Sequence, residues 1–197
     1  MCIKWYNLYE YNNLKGMIKM ASYKMKIAGL ERELTLYPVN DDLDIAAFIM
    51  FSDVEMTVAC ARELLKKAPD FDVLVTAEAK GIPLAYEMAR QSGKQYVVLR
   101  KSVKVYMKNP IEVSVNSITT HDEQKLYLGD EDAEKLRGKR VLIADDVIST
   151  GESLLTIEKV VEEAGGQVVG RAAVLAEGDA KDRDDIIYLE PLPLFFK

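Results

Sequence analysis

Apolar and polar positions alternate in blocks along most of this chain, with a period near 3.6 in some blocks and short continuous apolar runs in others. Val54, Val58, Ala61 and Leu65 recur on one helical face. Ser52 with Glu55 three residues on predicts a capping box at its start, and Pro69 ends the helix. Residues 73–77 (Val-Leu-Val-Thr-Ala) form a short apolar run of the kind that makes a parallel strand buried on both faces. A helix is predicted over 81–91, with Pro83 tolerated in its first turn, and a strand over 96–99. From 100 to 110 the periodicity dissolves into a basic stretch. Weaker strands are predicted over 112–118 and 125–128, then a short helix over 132–136. The strongest pair follows: a buried strand over 141–144 and a helix marked by Leu154, Ile157, Val160, Val161 and Ala164, ended by Gly165-Gly166. Further strands are predicted over 168–176 and 186–189.

Strands alternating with helices predict an α/β fold with a mostly parallel sheet flanked by helices and right-handed crossovers. Ligands bind such sheets at the carboxyl ends of the strands, which directs attention to the loops after Ala77, Leu99 and Ala144.

Length narrows this to a single domain. The 197 residues, 49% hydrophobic and 29% charged, can bury a core without metal or disulfide support. Residues 1–24 differ in composition and read as a flexible leader, with Met17, Met20 or Met25 as alternative starts; 25–197 read as the domain. A net charge of −6 opposes binding to nucleic acid or an anionic membrane. No apolar run approaches the ~20 residues of a membrane helix, and no secretory h-region is visible. Two cysteines, Cys2 and Cys60, offer no disulfide framework, so a cytoplasmic location is expected. No metal-ligand cluster stands out, and the single histidine, His121, lies in a weakly patterned polar stretch that reads as solvated loop.

Candidate chemistry concentrates in residues 141–153, Val-Leu-Ile-Ala-Asp-Asp-Val-Ile-Ser-Thr-Gly-Glu-Ser. A buried strand delivers Asp145 and Asp146, and a turn of small hydroxyl residues and glycine then opens a helix. The unpaired N–H groups of a helix start, surrounded by Ser149, Thr150 and Ser153, suit a phosphate monoester, and Gly151 lets the backbone approach its oxygens. Like charge excludes the two acids as phosphate ligands. They suit the hydroxyls of a sugar carrying that phosphate, or a metal ion held by the sugar. Ser149 and Glu152 alone would also fit an ordinary capping box.

This stretch resembles the phosphoribosyl pyrophosphate (PRPP) motif of type I phosphoribosyltransferases, two acids followed by a Thr-Gly loop, and the resemblance extends over about residues 45–195. Glu78-Ala79-Lys80-Gly81 resembles the family's pyrophosphate loop, with Lys80 in place of its usual arginine, which keeps the charge and loses the bidentate fork. Arg100-Lys101 resembles the basic pair that precedes the family's mobile loop, here about 102–127.

The resemblance implies a type I phosphoribosyltransferase fold with a small hood, assigned to about 25–50 and 186–197. It further implies that Ser149, Thr150, Gly151, Glu152 and Ser153 hold the 5-phosphate. Asp145 and Asp146 would hold the ribose diol and stabilise positive charge on the ring. Glu78, Ala79, Lys80, Gly81, Arg100 and Lys101 would face the pyrophosphate. Mg²⁺ would arrive mainly through PRPP, with few protein ligands, and a homodimer would supply part of the basic set.

The same resemblance bears on the base. Hypoxanthine-guanine enzymes of the family usually place an aspartate where Ser149 stands, so adenine is expected here, with xanthine as the alternative. Residues 80–86 and 113–116 also resemble the effector domain of PRPP-sensing purine repressors, which leaves a non-catalytic PRPP-binding regulator as a further alternative. The short segment ahead of the first core helix and the acidic balance oppose the DNA-binding domain those repressors carry.

Overall fold

The computed structural model describes residues 21–116 and 123–197. In chain order the elements are β1 (Ser22–Ile27), β2 (Leu30–Pro38), β3 (Leu43–Ala46), α1 (Val54–Lys67), β4 (Val73–Ala77), α2 (Ile82–Ser92), β5 (Gln95–Leu99), β6 (Ile111–Asn116) and β7 (Glu123–Leu128). There follow α3 (Asp130–Leu136), β8 (Arg140–Ile148), α4 (Glu152–Glu163), β9 (Gln167–Glu177), a 3-10 turn (Gly178–Asp182), β10 (Ile187–Leu192) and β11 (Phe195–Phe196). Residues 1–20 of the leader expected over 1–24, His121 and the end of the strand expected over 112–118 lie outside the described residues, whereas Ser22, Tyr23 and Lys24, expected in that leader, are part of β1 because they pair with β2.

Five strands form the central sheet in the order β10-β9-β8-β4-β5, every neighbouring pair parallel. The short apolar runs become strands because helices, a hairpin and a second small sheet cover both faces of the sheet, which suits continuous Val, Leu and Ile. Alternate residues enter different cores. Val73, Val75, Val141 and Ile143 pack with Leu154, Ile157 and Val161 of α4 and with the β6–β7 hairpin. Leu74, Leu142 and Ala144 pack on the opposite face with Met56, Cys60 and Leu64 of α1, Leu84 and Met88 of α2, and Ile27 and Leu34 of the small sheet.

That small sheet has the order β1-β2-β3-β11. Tyr23, Met25 and Ile27 alternate with Ser22, Lys24 and Lys26, a period-two pattern with one half-covered face. Ala28 and Gly29 both take positive φ and close the β1–β2 hairpin in two residues. Strand β10 pairs with β9 in the central sheet, and from the chain's end only Phe195–Phe196 joins the small one, against β3.

The start of α1 differs from the expected capping box. Asp53, not Ser52, is the N-cap, and its carboxylate accepts the Met56 N–H at 3.1 Å. Arg32 of β2 decides this by binding Asp53 at 2.7 Å and Glu55 at 2.9 Å, so Glu55 is drawn away from the helix start. The buried face of α1 is also rotated from the expected one. Met56, Cys60 and Leu64 face the core and Val54 is 72% exposed.

Strand β4 is followed on one side by β5, and the chain then returns to place β8 on its other side. The crevice between the carboxyl ends of β4 and β8 is therefore the topological switch point, where ligands of parallel sheets bind.

Candidate functional site

Strand β4 ends at Ala77 and the chain turns through Glu78, Ala79, Lys80 and Gly81 into α2; the Glu78–Ala79 peptide is cis. Gly81 is required here by space. A Cβ on it would stand 2.4 Å from Thr76 Oγ1 and 2.9 Å from Asp145 Oδ1. The loop after β4 is thereby pressed against the acid at the end of β8.

Both acids lie within β8, which runs to Ile148 rather than ending at Ala144, because the ladder to β9 continues past them. Asp146 is 3% exposed, and its N–H donates to Asp145 Oδ1 at 2.9 Å. Lys80 Nζ lies 2.9 Å from Asp146 Oδ2, an oxygen that takes no hydrogen bond besides this ion contact. Burial, and then the neighbouring Asp146 charge, push the Asp145 carboxyl up to about 7; the Lys80 ammonium opposes this. The buried Asp146 and the half-buried Asp145 thus stand side by side against the Lys80 ammonium, two carboxylates to one ion pair.

Glu78 ties the two halves of the basic set together. Its carboxylate meets Arg100 Nη2 at 3.1 Å and accepts the Lys101 N–H at 2.9 Å, and its own N–H donates to the Leu99 carbonyl. The Lys101 N–H, with the Arg100 guanidinium adding to it, holds Glu78 below the usual carboxylate range. Arg100 also donates to the Tyr106 hydroxyl, and its backbone pairs with Tyr127 of β7. Arg100 is therefore committed to Glu78, whereas Lys101 lines the cleft.

After β8, Ser149 and Thr150 are exposed and Gly151 takes φ +81° as the N-cap of α4. That helix start has no side-chain cap, so Ser149 and Glu152 form no capping box; Thr150 Oγ1 accepts the Glu152 N–H at 3.4 Å. Ser153 reaches the main cleft, a cavity of about 600 Å³ that it shares with Glu78, Lys80, Lys101, Asp145 and Asp146. Of the residues singled out in the sequence, these six come together with Ala79. Ser149, Thr150 and Gly151 form the turn beside them.

Four residues near the site escaped the sequence reading. Lys125 on β7 lines the cleft and pairs with Glu112 at 3.2 Å. Glu177 ends β9, its carboxyl raised by burial against an opposing effect of Lys80. The loop after β9 obeys the carboxyl-end rule as well as those after β4 and β8, so Glu177 was reachable from the pattern. Thr76 is fully buried with an unpartnered Oγ1, and Arg183 lies against Gly151; no motif marks either.

Among the described residues no three of His, Cys, Asp and Glu gather as metal ligands. An ion held mostly by substrate oxygens and water fits this site better than a protein cage, since of the carboxylates lining the cavity, Glu78, Asp145 and Asp146, the first is engaged by Arg100 and the Lys101 N–H. Also among the described residues, no helix is long and apolar enough to cross a membrane.

A family model described as phosphoribosyl transferase domain matches residues 57–192. A hypoxanthine/guanine phosphoribosyltransferase of Methanococcus voltae is 32% identical over 148 residues, 75% of this chain and 73% of the relative. Another hypoxanthine/guanine phosphoribosyltransferase, from Methanocella arvoryzae, is 30% identical over 170 residues, 84% and 82% of the two chains. Among solved structures, adenine phosphoribosyltransferase of Thermoanaerobacter pseudethanolicus superposes with TM-score 0.67 at 21% identity, over 80% of this chain and 95% of that one. At that identity the likeness concerns the fold, a central parallel sheet flanked by helices.

Proposed function

The chain belongs to the phosphoribosyltransferase family, and on that premise we propose that it transfers the phosphoribosyl group of PRPP to a purine in salvage of the free base. The products are a nucleoside 5′-monophosphate and pyrophosphate. The C1–O bond to pyrophosphate breaks, the C1–N9 bond forms, and the base gives up its N9 proton.

One observation carries this reading. The acid pair of β8 and Lys80 of the β4 loop meet across the switch-point crevice, at 2.9 Å, beside the turn that opens α4. The N–H groups at that turn suit the 5-phosphate, with Ser149 to Ser153 around it. Asp145 and Asp146 then stand where the ribose hydroxyls would lie, and their negative charge favours a ring that turns cationic as the leaving group departs. Lys80 and Lys101 offset the leaving pyrophosphate. Mg²⁺ arriving with PRPP would supply further positive charge there, and Asp145 and Asp146 are the carboxylates that could help hold it. Glu78 acts through Arg100 and the Lys101 backbone, a role of holding the loop rather than touching substrate.

Adenine is the first candidate base, because Ser149 offers no carboxylate for the proton of a 6-oxopurine. Hypoxanthine or guanine is the second, favoured by the names of relatives 30–32% identical over most of their length. A cytoplasmic homodimer is part of the proposal, resting on the family resemblance and on cysteine usage.

Purified protein with Mg²⁺, PRPP and, in turn, adenine, hypoxanthine, guanine and xanthine tests it. Pyrophosphate release with one purine is expected. PRPP binding without release on any base would replace the enzyme by a PRPP sensor.

A further inference from the structure

The turn assigned above to the 5-phosphate, residues 149–153, contains no lysine or arginine. A cation reaches it from about thirty residues further along the chain. Nη1 of Arg183 lies 2.2 Å from where a Cβ on Gly151 would stand, so the guanidinium rests on the bare face of that glycine. Its other edge is occupied. Nε and Nη2 bind both oxygens of Asp185 at 2.8 and 2.7 Å. Asp185 lies 3.9 Å from Arg171 of β9, which pairs with Glu158 of α4. The Arg183 fork is thereby fixed on one side to the body of the helix whose first turn it covers, and its Nη1 edge is the one left toward Gly151.

We propose that Arg183 is a phosphate-binding side chain for the 5-phosphate end of PRPP, oriented by Asp185 and admitted by the missing side chain of Gly151. This rests on the phosphoribosyltransferase reading above and adds to it a residue outside the recognised motif. An arginine suits the task because its planar fork can bind a carboxylate with one edge and a phosphate oxygen with another, which an ammonium point charge cannot do. Beyond its positive φ, the glycine at 151 leaves open the space that the Arg183 guanidinium occupies.

The test uses two product-like competitors in the full-length protein, ribose 5-phosphate for the phosphate end and pyrophosphate for the other. Arg183→Gln should weaken ribose 5-phosphate inhibition and raise KM for PRPP by roughly 10- to 100-fold, the scale of a lost charge-assisted hydrogen bond. Pyrophosphate inhibition should stay within about twofold, and Arg183→Lys should recover part of the loss. Asp185→Asn, which frees the fork, should show a smaller effect of the same sign. Unchanged ribose 5-phosphate affinity in Arg183→Gln would overturn the proposal, and so would an equal loss of both competitors, which is the signature of a disturbed fold. A wild-type protein that binds neither competitor would instead refute the phosphoribosyltransferase reading itself, and this inference with it.

Discussion

Replacing Gly81 by alanine probes the contact that presses the β4 loop against β8. At φ −72° and ψ −12° the backbone of Gly81 accepts any residue. At such a position Gly→Ala ordinarily stabilises by about 0.4–1 kcal/mol through the unfolded chain. Here the new methyl would stand 2.4 Å from Thr76 Oγ1 and 2.9 Å from Asp145 Oδ1. The first distance is roughly 1 Å short of ordinary contact. Thr76 is fully buried in β4 and cannot swing to solvent, so the loop or the acid must shift, an overpacking penalty of about 1–3 kcal/mol. Destabilisation by about 1–2 kcal/mol is expected from urea unfolding, with a drop in kcat/KM of ~10- to 100-fold, since displacing a positioned group by an ångström costs that much. Thr76→Ala in the same background removes the first clash but leaves the second, so stability should recover more than activity. A Gly81→Ala protein at least as stable as wild type, or stability effects of the two substitutions that simply add, would refute the steric argument.

Asp145→Asn with Asp146→Asn should abolish turnover while circular dichroism and the unfolding midpoint show a folded protein; wild-type kcat/KM in the double variant would remove both acids from the mechanism. The Asp145 carboxyl, raised to about 7 from an ordinary value of 3.8, keeps its proton in the folded state after the unfolded chain has lost it. Stability of the ligand-free protein should therefore fall as pH rises from about 4 to 7, and Asp145→Asn should flatten that part of the profile; an identical slope in the variant would refute the shift. Thr76→Val replaces an unpartnered buried hydroxyl by a methyl and should leave the urea midpoint unchanged or raised, whereas a loss above ~1 kcal/mol would mean that the hydroxyl has a partner.

The central strands were legible in the chain because the signal that forms them is local. Residues 73–77 are an apolar run long enough for one strand and too short for a helix, and the strand has those bounds. The acid pair and the Ser149–Ser153 turn announced themselves for the same reason, since a buried strand, two acids and a Thr-Gly turn are adjacent in sequence. The strands over Ser22–Ala46 were not predicted, although the resemblance implied a hood over about 25–50 and Tyr23, Met25 and Ile27 alternate with polar residues, because they are half exposed and the pattern is weak beside that of the core.

By itself, then, the sequence determined the parallel core, the family and the segment around which the candidate site is built, all properties of residues close together along the chain. Tertiary structure alone decided which charge meets which. Asp53 caps α1 because Arg32 arrives from β2, and Lys80 compensates Asp146 from 66 positions away, a separation read from the numbering. Arg100 is committed to Glu78, and Arg183 rests on Gly151. Pairings of this kind depend on where folded strands deliver their ends, and the energy of each charge depends on burial and neighbours that no local pattern encodes.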